Sequence, residues 1–288
     1  MFPKIAWCKL AVVSSSLFYP IVALAYGGLA VYFWRTRWSA KPGPDTTTPT
    51  LRAFEHVLVL AVLVLHGALL FQSMFAGPAV RLGVGNAMSA IIWLTVLIYW
   101  LGNFFYKLDG LQTMVMPVAA VCAILPLVFP SARALPNTEL TVFKVHLLIA
   151  MLAYSLFTIA SLHVLLMALI ERRLHGGGLP GLLQKMPPLL TMETLLFRII
   201  TAGFVLLTLT LLSGMVFSEE LFGKPMRFDH KVVFGVLSWF VFAALLGGRQ
   251  LYGWRGRVAT RWTLTGFVML ILAYIGSRFV LEVILGRV

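Results

Sequence analysis

Charge is what this chain has least of. Asp and Glu together number only 10 in 288 residues, and all charged residues make up 11%, against roughly 25% in a soluble domain. So few charges cannot cover the surface of an ordinary soluble enzyme, and a disordered polar chain is excluded for the same reason. Cysteine is scarce too. Cys8 lies near the N-terminus and Cys122 inside an apolar run, so no disulfide is expected between them and a disulfide scaffold is excluded. No CxxC or CxxCH occurs, which excludes a dithiol oxidoreductase and a c-type cytochrome. GxSxG, HExxH and the P-loop lysine motif are likewise missing. No paired carboxylates fall within an apolar run, so a carboxylate proton relay has no support. The chain is read as a non-enzyme.

What is abundant is apolar surface. Hydrophobic residues make up 60% of the chain, and mean hydropathy is +0.93. In lipid, backbone polar groups must be satisfied internally, so the expected fold class is all-α: a polytopic membrane helix bundle. A spanning helix needs roughly 20 mostly apolar residues. Eight stretches qualify: 10–34, 57–75, 86–106, 111–130, 145–170, 199–217, 232–248 and 263–285. The fourth carries Pro117 and Pro126, which kink a helix. The eighth holds Arg278 and Glu282, four apart, read as a local ion pair at the membrane surface. Ala23-Leu24-Ala25 resembles a signal-peptidase site, but the apolar run continues to Trp34, and a retained helix is the reading taken. Loops 35–56 and 171–198 are too short to be folded domains. The first carries Lys41-Pro42-Gly43-Pro44 and reads as a solvated linker. The second flanks a short apolar segment suited to the membrane surface. The whole chain, 1–288, is read as a single membrane domain.

The net charge is +13. With no basic domain to hold it, nucleic acid is not an expected partner. The basic residues sit between apolar runs, where they set topology and meet anionic headgroups. Of the 23 Lys and Arg, 13 follow odd-numbered spans and 10 lie on the other side. This places both termini outside and the odd loops in the cytoplasm. The cluster Arg249, Arg255, Arg257 and Arg261 is the strongest contributor. The location expected is the bacterial inner (cytoplasmic) membrane, multi-pass, with the lipid bilayer as first partner.

Six histidines are present. His56 and His175 fall in loops and read as solvated. His146 starts the fifth span and His163 lies 17 positions later. That is about 25 Å along a helix, so the two cannot share one ion. His66 is mid-span. For His66 and His163 both a structural hydrogen bond and a ligand role are open, the former favoured. His230 sits at the end of an outer loop, Glu219 to Lys231, rich in charge and in aromatic or soft apolar side chains. His146 and His230 are both assigned to the outer face. Two imidazoles over apolar side chains suit a planar porphyrin with bis-histidine iron, and nearby Lys and Arg suit its propionates. The plainer reading is a helix start, with Asp229 as cap and His230 solvated.

The C-terminal part carries a resemblance. FGKPMRFDHK from Phe222 is followed by LSWFVFAALLGGR, then GWRGRVATRW, then AYIGSRF. In order and spacing, 222–278 resembles the haem-handling region of the cytochrome c assembly family, the CcsA/HemX-like membrane proteins. That family's pattern is WGxxWxWDPK, then T/S-W-x-x-x-A, GWRGRRA and YFG. Upstream, HLLIAMLAYSLFTIASLHVLL from His146 resembles the family's HxxxxxxxY helix, and Gly83 to Trp93 weakly resembles its N-x-x-S segment. Eight spans fit the smaller HemX-like or YpjD-like branch. The resemblance implies that His146 corresponds to an outer haem-ligating histidine, and that Gly223, Asp229 and Lys231 keep family types. The three loop tryptophans are replaced by Phe222, Met226 and Phe228, which keep apolar bulk but lose the indole N–H donors. The family's second outer histidine follows its last helix, and no histidine follows His230 here. His230, at the family's proline position, is therefore the candidate partner of His146. The resulting candidate haem site comprises His146 and His230 as iron ligands with Phe222, Met226, Phe228 and Asp229 around them.

Three functions are weighed. The first is haem binding or handling in cytochrome complex assembly. The second is a non-catalytic membrane partner or regulator that keeps the fold without haem, acting on another membrane protein of cytochrome biogenesis or haem metabolism. The third is a transporter, disfavoured because the sequence has no repeat, no broken helix pair and no evident buried charge.

Overall fold

The computed structural model describes residues 4–38, 49–75, 80–106, 108, 110–130, 140–175, 188–216 and 230–273. The architecture is all-helical. The elements are α1 (Lys4–Phe33), continued by a π-helical turn at Trp34–Trp38, then α2 (Pro49–Phe75), α3 (Val84–Gly102), α4 (Gln112–Ala123) and α5 (Leu125–Val128). They continue with α6 (Thr141–His175), α7 (Leu189–Val216), α8 (His230–Tyr252) and α9 (Gly256–Ile271). Among the described residues, five helices are long and apolar enough to cross a membrane: Thr50–Phe75, Val84–Gly102, Thr141–Arg173, Leu189–Val216 and His230–Tyr252. Among the described residues, each of the eight expected spans overlaps a helix. The protein is a polytopic membrane helix bundle.

Several bounds differ from the expectation. Helix α2 begins at Pro49, α7 at Leu189 and α9 at Gly256, each well before the apolar run. The added turns carry Glu55, Glu193, Arg198 and Arg257, whose charge hides them from a hydropathy window. The fourth span is short. It breaks at Ile124, between α4 and the four-residue α5, because Pro126 cannot supply the next helical N–H. The Arg278–Glu282 pair, the linker at 41–44 and the apolar segment of 176–187 lie outside the described residues.

Helix α6 is the spine. One face packs on α3 and the other on α7 and α9. On the first side α1–α4 enclose a core that includes Val22, Tyr26, Ile92, Val115 and Met116, with Leu166 and Ile170 from α6. Ala23-Leu24-Ala25 lies mid-helix in this packed region. On the second side Phe157, Leu196, Ile200, Phe242, Leu245 and Leu270 form a core among α6–α9. Phe157 of α6 stacks on Phe242 of α8 with ring centroids 3.9 Å apart.

Small residues let these helices close up, as van der Waals packing in lipid requires. A Cβ on Gly203 of α7 would sit 3.2 Å from the Phe157 ring, and one on Gly266 of α9 only 2.8 Å from the Phe242 ring. Side-chain hydrogen bonds stitch the same contacts. Ser238 Oγ donates to the Gly266 carbonyl at 2.9 Å, Tyr154 to the Leu270 carbonyl at 2.9 Å, and Trp239 Nε1 to Thr208 Oγ1 at 2.8 Å. The α8–α9 turn uses Gly253 and Gly256 at φ 65° and 53°, a region where L side chains are strained. The tryptophan between them folds back: Trp254 N–H donates to the Gly248 carbonyl at 3.2 Å, and its ring lies over Gly248.

Candidate functional site

The two candidate iron ligands sit on parallel helices. Helix α6 carries His146 11 positions before Phe157, and α8 carries His230 12 positions before Phe242. Those rings stack, so the two histidines lie about 16.5 and 18 Å along their axes from a common contact. Helix α7 gives the same register. His146 Nδ1 is 2.8 Å from Ser213 Oγ. Gly235 of α8 faces Leu211 of α7, which puts His230 level with the end of α7. Both imidazoles are therefore at one end of the bundle and at nearly one height.

The Ser213 contact sets the chemistry of His146. Ser213 Oγ donates to the Thr210 carbonyl at 3.1 Å, so it accepts from His146 Nδ1–H. The ring lone pair is then on Nε2, the nitrogen that a metal would take. His146 is half-buried and His230 exposed. The two residues share a height, and the tautomer is set for His146. Phe222, Met226, Phe228 and Asp229 lie outside the described residues. Among the described residues, no three His, Cys, Asp or Glu side chains converge on one point, and a bis-histidine iron needs only two.

The remaining histidines resolve individually. His66 is fully buried. Its Nε2 is 2.8 Å from Ser89 Oγ and its Nδ1 3.4 Å from Tyr26 Oη, which ties α2 to α3 and α1. His163, also buried, places Nε2 3.0 Å from the Met192 carbonyl, so Nε2–H donates across to α7. Both have the structural bond favoured from sequence. His163 and His146 are at opposite ends of α7, as the 17-residue spacing requires. His56 departs from the expected solvated loop residue. It lies inside α2, half-buried, stacked on Phe104 at 5.0 Å, with Asn103 Nδ2 3.3 Å from its Nε2. The helix simply starts before it. The His175 side chain lies outside the described residues.

Buried charge, not expected from sequence, is present at the opposite end of the bundle from His146. Glu55 is bound by Arg37 at 2.6 Å and accepts from Tyr32 at 3.0 Å. Glu193 is held by Arg249 at 2.6 Å and Arg255 at 3.7 Å, and Arg257 reaches Glu171 at 3.5 Å. Arg249 also lies over the Phe197 ring, 4.6 Å from its centroid. The GWRGR segment is thus a clasp joining α6, α7, α8 and α9. Its legible signal was the alternation of Arg with glycine and tryptophan. The acidic partners, scattered far upstream, had none.

Inner membrane protein YpjD of Escherichia coli K12 is 35% identical over 177 residues, which cover 59% of this chain and 65% of that protein. The match thus spans just under two thirds of that relative. Cytochrome c biogenesis protein CcsA of Prochlorococcus marinus AS9601 is 26% identical over 278 residues, 88% of this chain and 90% of that protein. A 28.8 kDa protein of Azospirillum brasilense is 33% identical over 141 residues, 49% of this chain and 52% of that protein. With its apolar helices the chain is a multi-pass inner-membrane protein. The cytochrome C assembly protein family matches residues 52–285, most of the chain apart from α1 and the turn after it, and the chain belongs to that family.

Proposed function

We propose that this protein handles haem during cytochrome c biogenesis, as a non-enzymatic membrane factor with both termini outside. The observation that carries the reading is the nearly equal height of His146 and His230 on two parallel helices that both pack on α7 and α9. Family membership supplies the class of process. A haem bound there would supply a redox-active iron. In this reading His146, its ring held by Ser213, would offer Nε2 to the iron, and His230 at the start of α8 would supply the second imidazole. Arg249, Arg255 and Arg257 at the other end support the cytoplasmic assignment of that face.

Protein purified from haem-replete cells tests this. A Soret band is expected, lost in His146→Ala, and shifted or weakened in His230→Ala. Ser213→Ala should weaken haem retention without abolishing it. Absence of any Soret band from a folded, helical preparation counts against haem. It would favour the second reading, a membrane partner that keeps the fold, which Phe222, Met226 and Phe228 in place of three tryptophans support. His146→Ala would then be silent, and changes in the 217–229 loop would break complex formation.

A further inference from the structure

His66, His146 and His163 each bond to a neighbouring helix, but through different ring atoms. His66 has both nitrogens engaged, Nε2 with Ser89 at 2.8 Å and Nδ1 with Tyr26 at 3.4 Å. His163 spends its Nε2–H on the Met192 carbonyl at 3.0 Å. Of the three, His146 is the one that pairs through Nδ1, with Ser213 Oγ at 2.8 Å, and has Nε2 outside that bond.

The Ser213 bond runs in one direction. Ser213 Oγ donates to the Thr210 carbonyl at 3.1 Å, three positions back on the same helix. Its lone pairs are therefore what meets His146 Nδ1–H. The chain passes from imidazole N–H to hydroxyl to backbone carbonyl, and it ends on a neutral group that takes up no proton. Helix α7 also supports the next ring atom. Gly214 faces His146 Cε1, and a Cβ added there would stand 3.5 Å away. The ring is thus seated along its Nδ1–Cε1 edge, and residue 214 places no side chain beside it.

The acceptor on the outer N–H decides how good a ligand a histidine is. That N–H commonly goes to a carboxylate, a backbone carbonyl or water, and the bond raises the basicity of the coordinating nitrogen. A bond to an ionised acceptor is roughly twice as strong as one between neutral groups. A serine hydroxyl is at the weak end of that range. With the chain ending at Thr210, nothing draws the Nδ1 proton away from the ring. His146 is aimed by this contact without being made strongly basic.

We propose, resting on the haem-handling reading above, that Ser213 makes His146 a well-aimed but weak ligand, so that the outer site takes haem up and gives it up again. Ser213 is a positioning residue, acting through His146 alone. Release is then a ligand exchange in which the bonding electron pair returns to Nε2 and a donor atom of the receiving protein replaces it. It needs no oxidant or reductant.

The test has two arms, both on the full-length protein in detergent micelles. The first is free of haem. Isotope-labelled histidine is read by nitrogen NMR, with the His146 signal identified by its loss in His146→Gln. His146 should carry its proton on Nδ1 in the wild type and in Ser213→Thr, and should show both tautomers in Ser213→Ala. A wild-type His146 protonated on Nε2 overturns the proposal. The second arm loads the protein with haemin, adds excess apomyoglobin and follows transfer by the Soret band, with the midpoint potential measured alongside. Ser213→Ala should speed release about tenfold. Ser213→Asp should slow release and lower the midpoint potential, and Ser213→Thr, which keeps the hydroxyl, should leave both unchanged. Release from a folded, haem-loaded Ser213→Asp at the wild-type rate overturns the proposal and leaves the haem reading standing. Should the aspartate disturb the fold, equal release from Ser213→Ala and the wild type overturns it as well. No haem uptake by the wild type overturns the haem reading, and this proposal with it.

Discussion

Replacing Glu193 by Gln leaves Arg249 facing an uncharged amide. The Glu193 side chain is 9% exposed and that of Arg249 25%. Removing one partner of a buried ion pair costs about 3–5 kcal/mol. Arg249 recovers part of that loss through its open quarter and its Phe197 contact, itself about 0.5–2 kcal/mol. The expected cost of Glu193→Gln is therefore about 2–3 kcal/mol. Arg249→Gln strands the more deeply buried carboxylate, with only Arg255 left at 3.7 Å. The Arg255 side chain is 59% exposed, so its attraction is screened, and the cost should rise to about 3–4 kcal/mol. In the double variant two amides face each other and neither charge is orphaned. Its loss should fall short of the sum of the singles by about 2 kcal/mol, measured as a double-mutant cycle of unfolding in detergent micelles. Additivity within about 0.5 kcal/mol, the behaviour of independent sites, would refute the Arg249–Glu193 pair as a coupled part of the clasp.

Three further outcomes follow from the packing. Gly266→Val should cost at least about 1–3 kcal/mol, because its Cβ falls 2.8 Å from the Phe242 ring; a wild-type melting midpoint would contradict the close approach of α8 and α9. His66→Ala should destabilise the α2–α3 contact by about 1–2 kcal/mol through loss of the Ser89 bond. It should leave any haem spectrum untouched, and a changed Soret band would instead make His66 a ligand. Gly253→Ala should cost about 1 kcal/mol from its positive φ alone, since nothing crowds a Cβ there; a loss of several kcal/mol would mean that the α8–α9 turn is packed more tightly than described.

Much of the membrane architecture was legible because its cause is local. A helix that must satisfy its backbone in lipid needs a long apolar run, and such runs can be counted. The pairing of His146 with Tyr154 on one helix was legible as spacing, although Tyr154 turned out to serve α9 through the Leu270 carbonyl. Helix starts were illegible where a buried carboxylate stood in the first turns. Glu55 and Glu193 read as loop residues because their partners, Arg37 and Arg249, are 18 and 56 positions away. His56 was misjudged for the same reason, its ring being shielded by Phe104 and Asn103 from α3 and the turn after it.

Sequence alone determined that the chain is a bundle of membrane helices, with histidines at both ends of its fifth span and a basic turn after its seventh. Both facts follow from hydropathy and from a fixed rise per residue. Only tertiary structure decided that His146 and His230 share a height and that Ser213 assigns the His146 tautomer. Those relations depend on how α6, α7 and α8 register against one another. That register is set by the stacked Phe157 and Phe242 rings and by glycines that carry no side chain to hold them apart.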